Sequence, residues 1–220
     1  MTASGRKPSK RNAFLAPPIE RLELPRGVRF PRNDEVPADQ WGEVTAKVAA
    51  ARLTTGYVAT ASDDARFSTY FEVNTHARHV WDLFVTLAKA NLPDVSAACI
   101  GLKDDEPVFG PYAKTDRSLA VFNDYSDQLA HDGFLQFGVL LEADGRTEEI
   151  LVSPAKYLKI WTSRPDVIRS VLHTHALEEA PDLRFIDEYP NVTEHLADDG
   201  PAAHDVFAAI TSRFEELATP

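Results

Sequence analysis

The sequence has very little cysteine: Cys99 is the single one in 220 residues. One thiol cannot form an internal disulfide, which excludes the disulfide frameworks of small secreted domains. Cys99 stands in the mainly apolar run Val95–Leu102, so we expect a buried and unreactive thiol. So little cysteine suits a reducing compartment, and we predict a cytoplasmic protein.

Long apolar runs are also missing. No stretch reaches the roughly 18 apolar residues that a membrane-spanning helix needs. The first 18 residues begin with basic groups but contain no apolar core, so we expect no secretory signal. With 44% hydrophobic and 26% charged residues, the composition is that of an ordinary globular domain. We therefore predict a folded protein without a membrane partner.

Motifs for nucleotide binding and nucleophilic catalysis are absent. The ten glycines form neither a G-x-x-x-x-G-K-[ST] nor a G-x-G-x-x-G motif, so P-loop and Rossmann sites are unsupported. There is no G-x-S-x-G elbow. His173 and His175 would diverge on a helix, and His76 with His79 lacks an identifiable third ligand. We predict no cofactor and no metal site.

Basic residues are scarce relative to acidic ones, with 23 Lys and Arg against 34 Asp and Glu and a net charge of −11. Residues 1–30 hold seven basic and two acidic groups, so the remaining 190 residues carry −16. A body this acidic repels phosphate backbones and attracts basic partners.

Residues 134–162 give the clearest structural signal and read as three consecutive antiparallel strands. Asp144-Gly145 matches a type I′ hairpin loop, because both loop positions need positive φ. A turn there pairs Ala143 with Arg146, and strand alternation then sorts the other pairs between two faces. One face is apolar except for a glutamate: Leu141 with Glu148, Val139 with Ile150, and Phe137 with Val152. The mixed face pairs Leu140 with Glu149. In the third strand, Leu158 and Ile160 share one side, and Tyr157 and Trp161 share the other.

The rest of the chain alternates hairpins with helices. The patterns predict strands at residues 54–61, 66–73, 95–102 and 107–112, and helices at 39–52, 75–90 and 116–131. Gly133 is expected as the left-handed residue that ends the last of these helices. Ser163 should cap a further helix, and a C-terminal helix should begin near Asp198. This order indicates an α+β fold, with an antiparallel or mixed β-sheet and helices packed mainly on one face.

The predicted organisation has three parts. Residues 1–13 form a disordered basic tail, and residues 14–37, which contain five prolines, form an extended arm. Residues 38–220 form a single α+β domain that ends in the C-terminal helix. Helices near both ends of the chain leave a homodimer as an option.

The leading functional prediction is a non-enzymatic module that binds a basic protein partner through an acidic surface. In general character, small acidic α+β proteins of this type resemble bacterial immunity proteins that neutralise basic toxins, which implies an inhibitor of a basic protein. The predicted binding residues combine aromatic and acidic side chains: Asp104, Asp105, Glu106, Tyr112, Glu149, Tyr157 and Trp161.

Two alternatives remain. Asp127 and His131 are four residues apart on one predicted helix, so a hydrolase-type enzyme using this carboxylate–histidine pair is an alternative. The competing interpretation is an ordinary pair of surface side chains. The basic N-terminal arm gives a second alternative, a protein that associates with nucleic acid.

Overall fold

The computed structural model describes residues 22–196 and 200–217. Seven strands form one sheet in the order β2-β3-β8-β7-β6-β4-β5, and each neighbouring pair is antiparallel. Two further short strands, β1 and β9, pair separately. The strands are β1 (Val28–Arg29), β2 (Gly56–Ala61), β3 (Thr69–Asn74), β4 (Val95–Leu102), β5 (Val108–Lys114), β6 (Leu135–Ala143), β7 (Arg146–Val152), β8 (Leu158–Thr162) and β9 (Val192–Thr193).

Helices connect and cover these strands. The α-helices are α1 (Trp41–Ala50), α2 (Val80–Asn91), α3 (Thr115–Ala120), α4 (Ser126–His131), α5 (Pro165–Thr174) and α6 (Ala203–Leu217). Short 3₁₀ helices occupy Asn33–Glu35, Ala77–His79, Asn123–Tyr125 and Ile186–Glu188. Within the described ranges, no helix is both long and apolar enough to cross a membrane.

The predicted hairpin at the centre of the sheet is confirmed with its register. Ala143 pairs with Arg146, and every further pair from Glu142 with Thr147 to Phe137 with Val152 follows. Asp144 has φ 52° and Gly145 has φ 72°, as a type I′ loop requires. The local turn therefore fixes which side chains of β6 and β7 share a face.

The apolar face of the sheet holds the main core. Phe71, Phe137, Ile150 and Ile160 are fully buried there, and they belong to the same cluster as the inward side of α2. Phe84 of α2 stacks edge-on against Phe137 with 4.9 Å between ring centroids. Helices α5 and α6 add Ile168, Leu172, Val206, Ile210 and Phe214 to this cluster. The α+β prediction, with helices packed mainly on one face, is confirmed.

The predicted helix at 116–131 is not continuous. The structure divides it into α3, a 3₁₀ turn and α4. Asn123 and Asp124 lie at the break, where their side chains compete with helical hydrogen bonding. The break also lets Phe122 point fully into the core against Phe137, at 5.7 Å between ring centroids.

Gly133 does not have the positive φ predicted for it. Its role is close backbone contact: a Cβ built on Gly133 would lie 2.3 Å from the carbonyl oxygen of Gly27. Glycine is thus required because two chain segments touch, and the prediction of a left-handed helix end at this position is wrong. The helix start predicted at Ser163 is also shifted, since α5 begins at Pro165 without a side-chain cap.

Residues 22–37 contact the body of the protein. The Gly27 N–H donates to the His131 carbonyl, and the Ala77 N–H donates to the Glu23 carbonyl. Val28 is buried, and its strand β1 pairs with β9. The predicted disordered tail at 1–13 and the first part of the predicted arm, residues 14–21, lie outside the described residues.

Both edges of the large sheet carry features that oppose further strand pairing. On β2, the Tyr57 N–H donates to the Glu178 carbonyl, and the Ala180 N–H donates to the Tyr57 carbonyl. On β5, Pro111 lacks an N–H, and the pairing with β4 is interrupted by a bulge between Ala97 and Cys99. Proline and bulges at a sheet edge oppose the addition of another strand.

Candidate functional site

The face of the sheet opposite the helices, which we call the open face, carries a continuous row of side chains. The strand registers place Tyr112 opposite Ala97, Ala97 opposite Leu140, and so on across six strands. We call this set the aromatic row, and its members from β5 to β3 are Tyr112, Ala97, Leu140, Glu149, Trp161 and Tyr70. Five strand spacings of about 4.8 Å make the row roughly 24 Å long.

Most of the aromatic row is open to solvent to some degree. Tyr112 is 49% exposed, and its hydroxyl accepts a hydrogen bond of 3.1 Å from the Glu142 N–H. Trp161 and Tyr70 are partly buried, and their ring centroids are 5.0 Å apart. Ala97 between Tyr112 and Leu140 is small, so the tyrosine can lean across β4 to reach the backbone of β6.

A second row runs beside it, two residues away on β4, β6 and β7 and three residues away on β5, where the bulge adds one residue. It contains Phe109, Cys99, Gly138 and Leu151 in direct register. Phe109 is 47% exposed, whereas Cys99 is fully buried, and burial raises the pKa of its thiol. The expected buried cysteine is confirmed. The two residues between Phe109 and Leu151, Cys99 and Gly138, are small and buried.

Glu149 is the acidic member of the aromatic row. It lies between Leu140 and Trp161 on the neighbouring strands and is partly buried. Burial, with a smaller contribution from Glu142, raises the pKa of its carboxyl. The face therefore offers a carboxylate inside an aromatic and aliphatic setting.

One end of this face is covered by residues 178–188. Leu183 and Phe185 pack against Tyr157, whose ring centroid is 4.7 Å from that of Phe185. The Tyr157 hydroxyl donates to Asp187 at 2.9 Å, and the residue is 5% exposed. Tyr157, predicted as a binding residue, thus belongs to a small core beneath this segment and adds little to the free surface.

The predicted acidic residues Asp104, Asp105 and Glu106 form the exposed turn between β4 and β5. The Asp105 carbonyl accepts a hydrogen bond from the Gln136 side chain, which ties the turn to β6. Lys103 is six positions after Ala97, so the turn lies about 20 Å from the aromatic row along the strand. Of the seven predicted binding residues, the structure brings Tyr112, Glu149 and Trp161 into one row.

Asp127 and His131, predicted to contact each other, both form hydrogen bonds with Arg26. His131 Nε2 is 4.0 Å from Asp127 Oδ1, while the Asp127 carboxylate bonds the Arg26 guanidinium. His131 Nδ1 accepts from the Arg26 backbone N–H at 3.4 Å. Burial first, and then Arg26, lower the pKa of His131. These contacts attach residue 26 to α4, and the enzymatic alternative stays a prediction.

The histidine pairs do not form a metal centre. The rings of His76 and His79 are 6.3 Å apart, and His76 Nδ1 accepts a hydrogen bond from the Glu23 N–H. Among residues 22–196 and 200–217, no three His, Cys, Asp or Glu side chains are placed to hold an ion.

A cavity of about 560 Å³ lies beside the turn of the β6–β7 hairpin, on the helical side of the sheet. Glu148, which lines the cavity, is 8% exposed and accepts hydrogen bonds from Asn91, Thr162 and the Ser163 N–H, at 2.9, 2.5 and 2.9 Å. Arg164 donates to the Asn91 carbonyl at 2.7 Å. These bonds join α2, β7, β8 and the start of α5. The lining side chains that the structure describes include no histidine, cysteine or hydroxyl group.

Sequence reasoning missed three residues of the open face: Tyr70, Phe109 and Leu140. The hairpin register already set Leu140 opposite Glu149, and alternation in β3 separated Tyr70 from the buried Phe71. What the sequence does not contain is the strand order that brings β3 and β5 to the two ends of the row. Comparison with family models, with curated proteins and with solved structures gives no match.

Proposed function

We propose that the protein is a cytoplasmic binding module whose uncovered sheet face engages a basic protein. The observation that carries the proposal is the aromatic row, in which Tyr112, Glu149 and Trp161 share one surface with Leu140 and Tyr70. Aromatic residues are enriched at protein interfaces, and contiguous exposed apolar surface is unusual on a free domain.

Charge complementarity selects the partner. The chain carries −11 overall, and on the open face Glu142 and Glu149 accompany the aromatic side chains. The exposed carboxylates of the β4–β5 turn lie further along the same sheet. An acidic surface attracts a basic partner and repels a nucleic-acid backbone.

The partner contacts side chains on the face of the sheet rather than adding a strand to it. Residues 178–180 pair with the start of β2 at Tyr57, and Pro111 with the neighbouring bulge interrupts the β5 edge. Strand addition needs a free row of backbone groups. A second copy of this chain is a weaker occupant, because two acidic faces would repel each other.

The test uses affinity capture from the native host followed by binding measurements with the purified partner. We expect a basic protein that binds the native chain, and an affinity loss of about tenfold or more for Tyr112→Ala, as for an interface anchor. Trp41→Ala is the matched control, since Trp41 is a partly exposed aromatic residue on α1, away from the aromatic row, and its removal should leave binding unchanged.

Binding that survives both Tyr112→Ala and Phe109→Ala would overturn the proposal. So would a partner that is acidic, or a chain whose only specific association is with itself in gel filtration. Turnover of a substrate that depends on His131 would favour the hydrolase alternative. A salt-sensitive nucleic-acid complex lost on deleting residues 1–13 would favour the second alternative.

A further inference from the structure

The two adjacent glutamates of β7 have opposite surroundings. Glu148 points to the helical side and accepts three hydrogen bonds. Glu149 points to the open face, and among the residues that the structure describes no donor lies within hydrogen-bonding distance of its carboxylate. A carboxylate that is partly removed from water and has no donor leaves its acceptor capacity unused.

Two cations beside this face, Lys159 and Arg66, have other partners. Lys159 lies directly opposite Glu72, and its ammonium is 5.3 Å from the ring centroid of Tyr157. Arg66 binds Asp64 at 2.8 Å. Neither of these two side chains forms an ion pair or hydrogen bond with Glu149 in the part of the chain that the structure describes.

The side chains that flank Glu149 suit a flat cation. Trp161 is its direct cross-strand neighbour on β8, and Tyr70 continues the aromatic surface at 5.0 Å from Trp161. Leu140 flanks Glu149 on the other side. A guanidinium can donate two parallel hydrogen bonds to a carboxylate while its plane stacks on an indole ring.

We infer that Glu149 and Trp161 together form a receptor for a single arginine side chain of the partner. This inference rests on the proposed function, and it names the anchor by which a basic protein would be held. The guanidinium pairs with the Glu149 carboxylate and covers the ring of Trp161. Lysine fits less well, because its ammonium offers a point charge rather than a planar fork.

The test needs no knowledge of the partner. The probe is the tripeptide acetyl-Gly-Arg-Gly-amide, titrated into ¹⁵N-labelled full-length protein while the Trp161 indole N–H signal is followed. The signal is assigned with Trp161→Phe, because the chain has three tryptophans. We expect a saturable shift, with binding about tenfold weaker for Glu149→Gln and for the neutral citrulline peptide.

Glu215→Gln is the matched control, since it removes one exposed acidic charge from α6 on the helical side. It should leave the titration unchanged. Equal affinity for arginine, lysine and citrulline peptides would overturn the inference, and so would a Glu149→Gln protein that binds as the native chain does. Either result leaves the broader proposal to be decided by Tyr112→Ala with the captured partner, so the two can fail separately.

Discussion

Lys156 is a charged residue placed almost entirely inside the protein. It is 3% exposed, and its ammonium donates to the Leu135 carbonyl at 2.5 Å. Its backbone has φ 63°, and the ammonium is 5.8 Å from the ring centroid of Phe137. Burial lowers the pKa of Lys156 to about 7, although the nearby Asp132 acts in the opposite direction. The folded state therefore disfavours the charged form.

This burial has a consequence for stability against pH. In the unfolded chain Lys156 keeps its proton up to about pH 10.5, whereas in the folded chain it loses the proton near pH 7. The unfolded state binds more protons between these values, so the free energy of unfolding rises with pH there. The destabilisation of the folded state by the buried Lys156 charge is fully present below about pH 7, and it is relieved as the pH rises from about 7 to 10.5.

We predict that Lys156→Met removes this dependence. From pH 7 to pH 8.5, the native chain should gain roughly 1 to 2 kcal/mol of unfolding free energy relative to the variant. Urea denaturation of both proteins at several pH values measures the difference, and comparison with the variant cancels contributions from Cys99 and the tyrosines. Parallel pH profiles would show that Lys156 titrates normally.

The predictability of single residues follows from how local their causes are. Asp144 and Gly145 were identifiable because the turn type alone demands positive φ. Lys156 also has positive φ, but its burial depends on Leu135 and Asp132, which are distant in sequence. Gly133 was misassigned for a similar reason, since its neighbour in space is Gly27.

Among the elements, the start of α5 depends on a residue of β7. Glu148 accepts from the Ser163 N–H just before α5, and from Asn91 at the end of α2. Thr162 of β8 donates to the same carboxylate. Removal of Glu148 would leave the Asn91 side-chain amide and the Ser163 N–H without this acceptor, which costs about 1–3 kcal/mol for each group that stays unsatisfied.

We predict that Glu148→Ala lowers the free energy of unfolding by about 2–4 kcal/mol, because several buried partners lose their acceptor together. The adjacent Glu149→Ala is the matched control and should change stability by less than about 1 kcal/mol. Denaturant unfolding with the same probe measures both. Equal effects of the two substitutions would show that the inward network does not stabilise this junction.

Elements formed by neighbouring residues were the most predictable part of the fold. The β6–β7 hairpin and its two faces follow from one turn and strand alternation, including the inward Glu148 and outward Glu149. The division of the 116–131 helix did not follow, because it depends on where Phe122 packs. The partners of Glu148 were also unpredictable, since they come from three other elements.

At the scale of the whole molecule, the net charge of −11 acts on how fast a basic partner arrives. Long-range attraction raises the association rate at low ionic strength and is screened over about 10 Å at 0.1 M salt. The contacts of the aromatic row, by contrast, act at short range and mainly determine how long the complex lasts.

We therefore predict that the association rate with the captured partner falls roughly tenfold between low salt and 0.5 M salt, while the dissociation rate changes much less. Stopped-flow or surface-based kinetics at several salt concentrations separates the two rates. An association rate that does not respond to salt would contradict charge-driven recognition by this chain.

The aromatic row is assembled from positions as distant in sequence as Tyr70 and Trp161, which become neighbours only when β3 pairs with β8. Its other end depends on β5 joining β4. A partly folded or misregistered chain would therefore display the same residues without the surface that they form together. A ligand that recognises this surface would bind completely folded molecules and not incompletely folded ones. Its binding would therefore indicate that the chain has folded correctly.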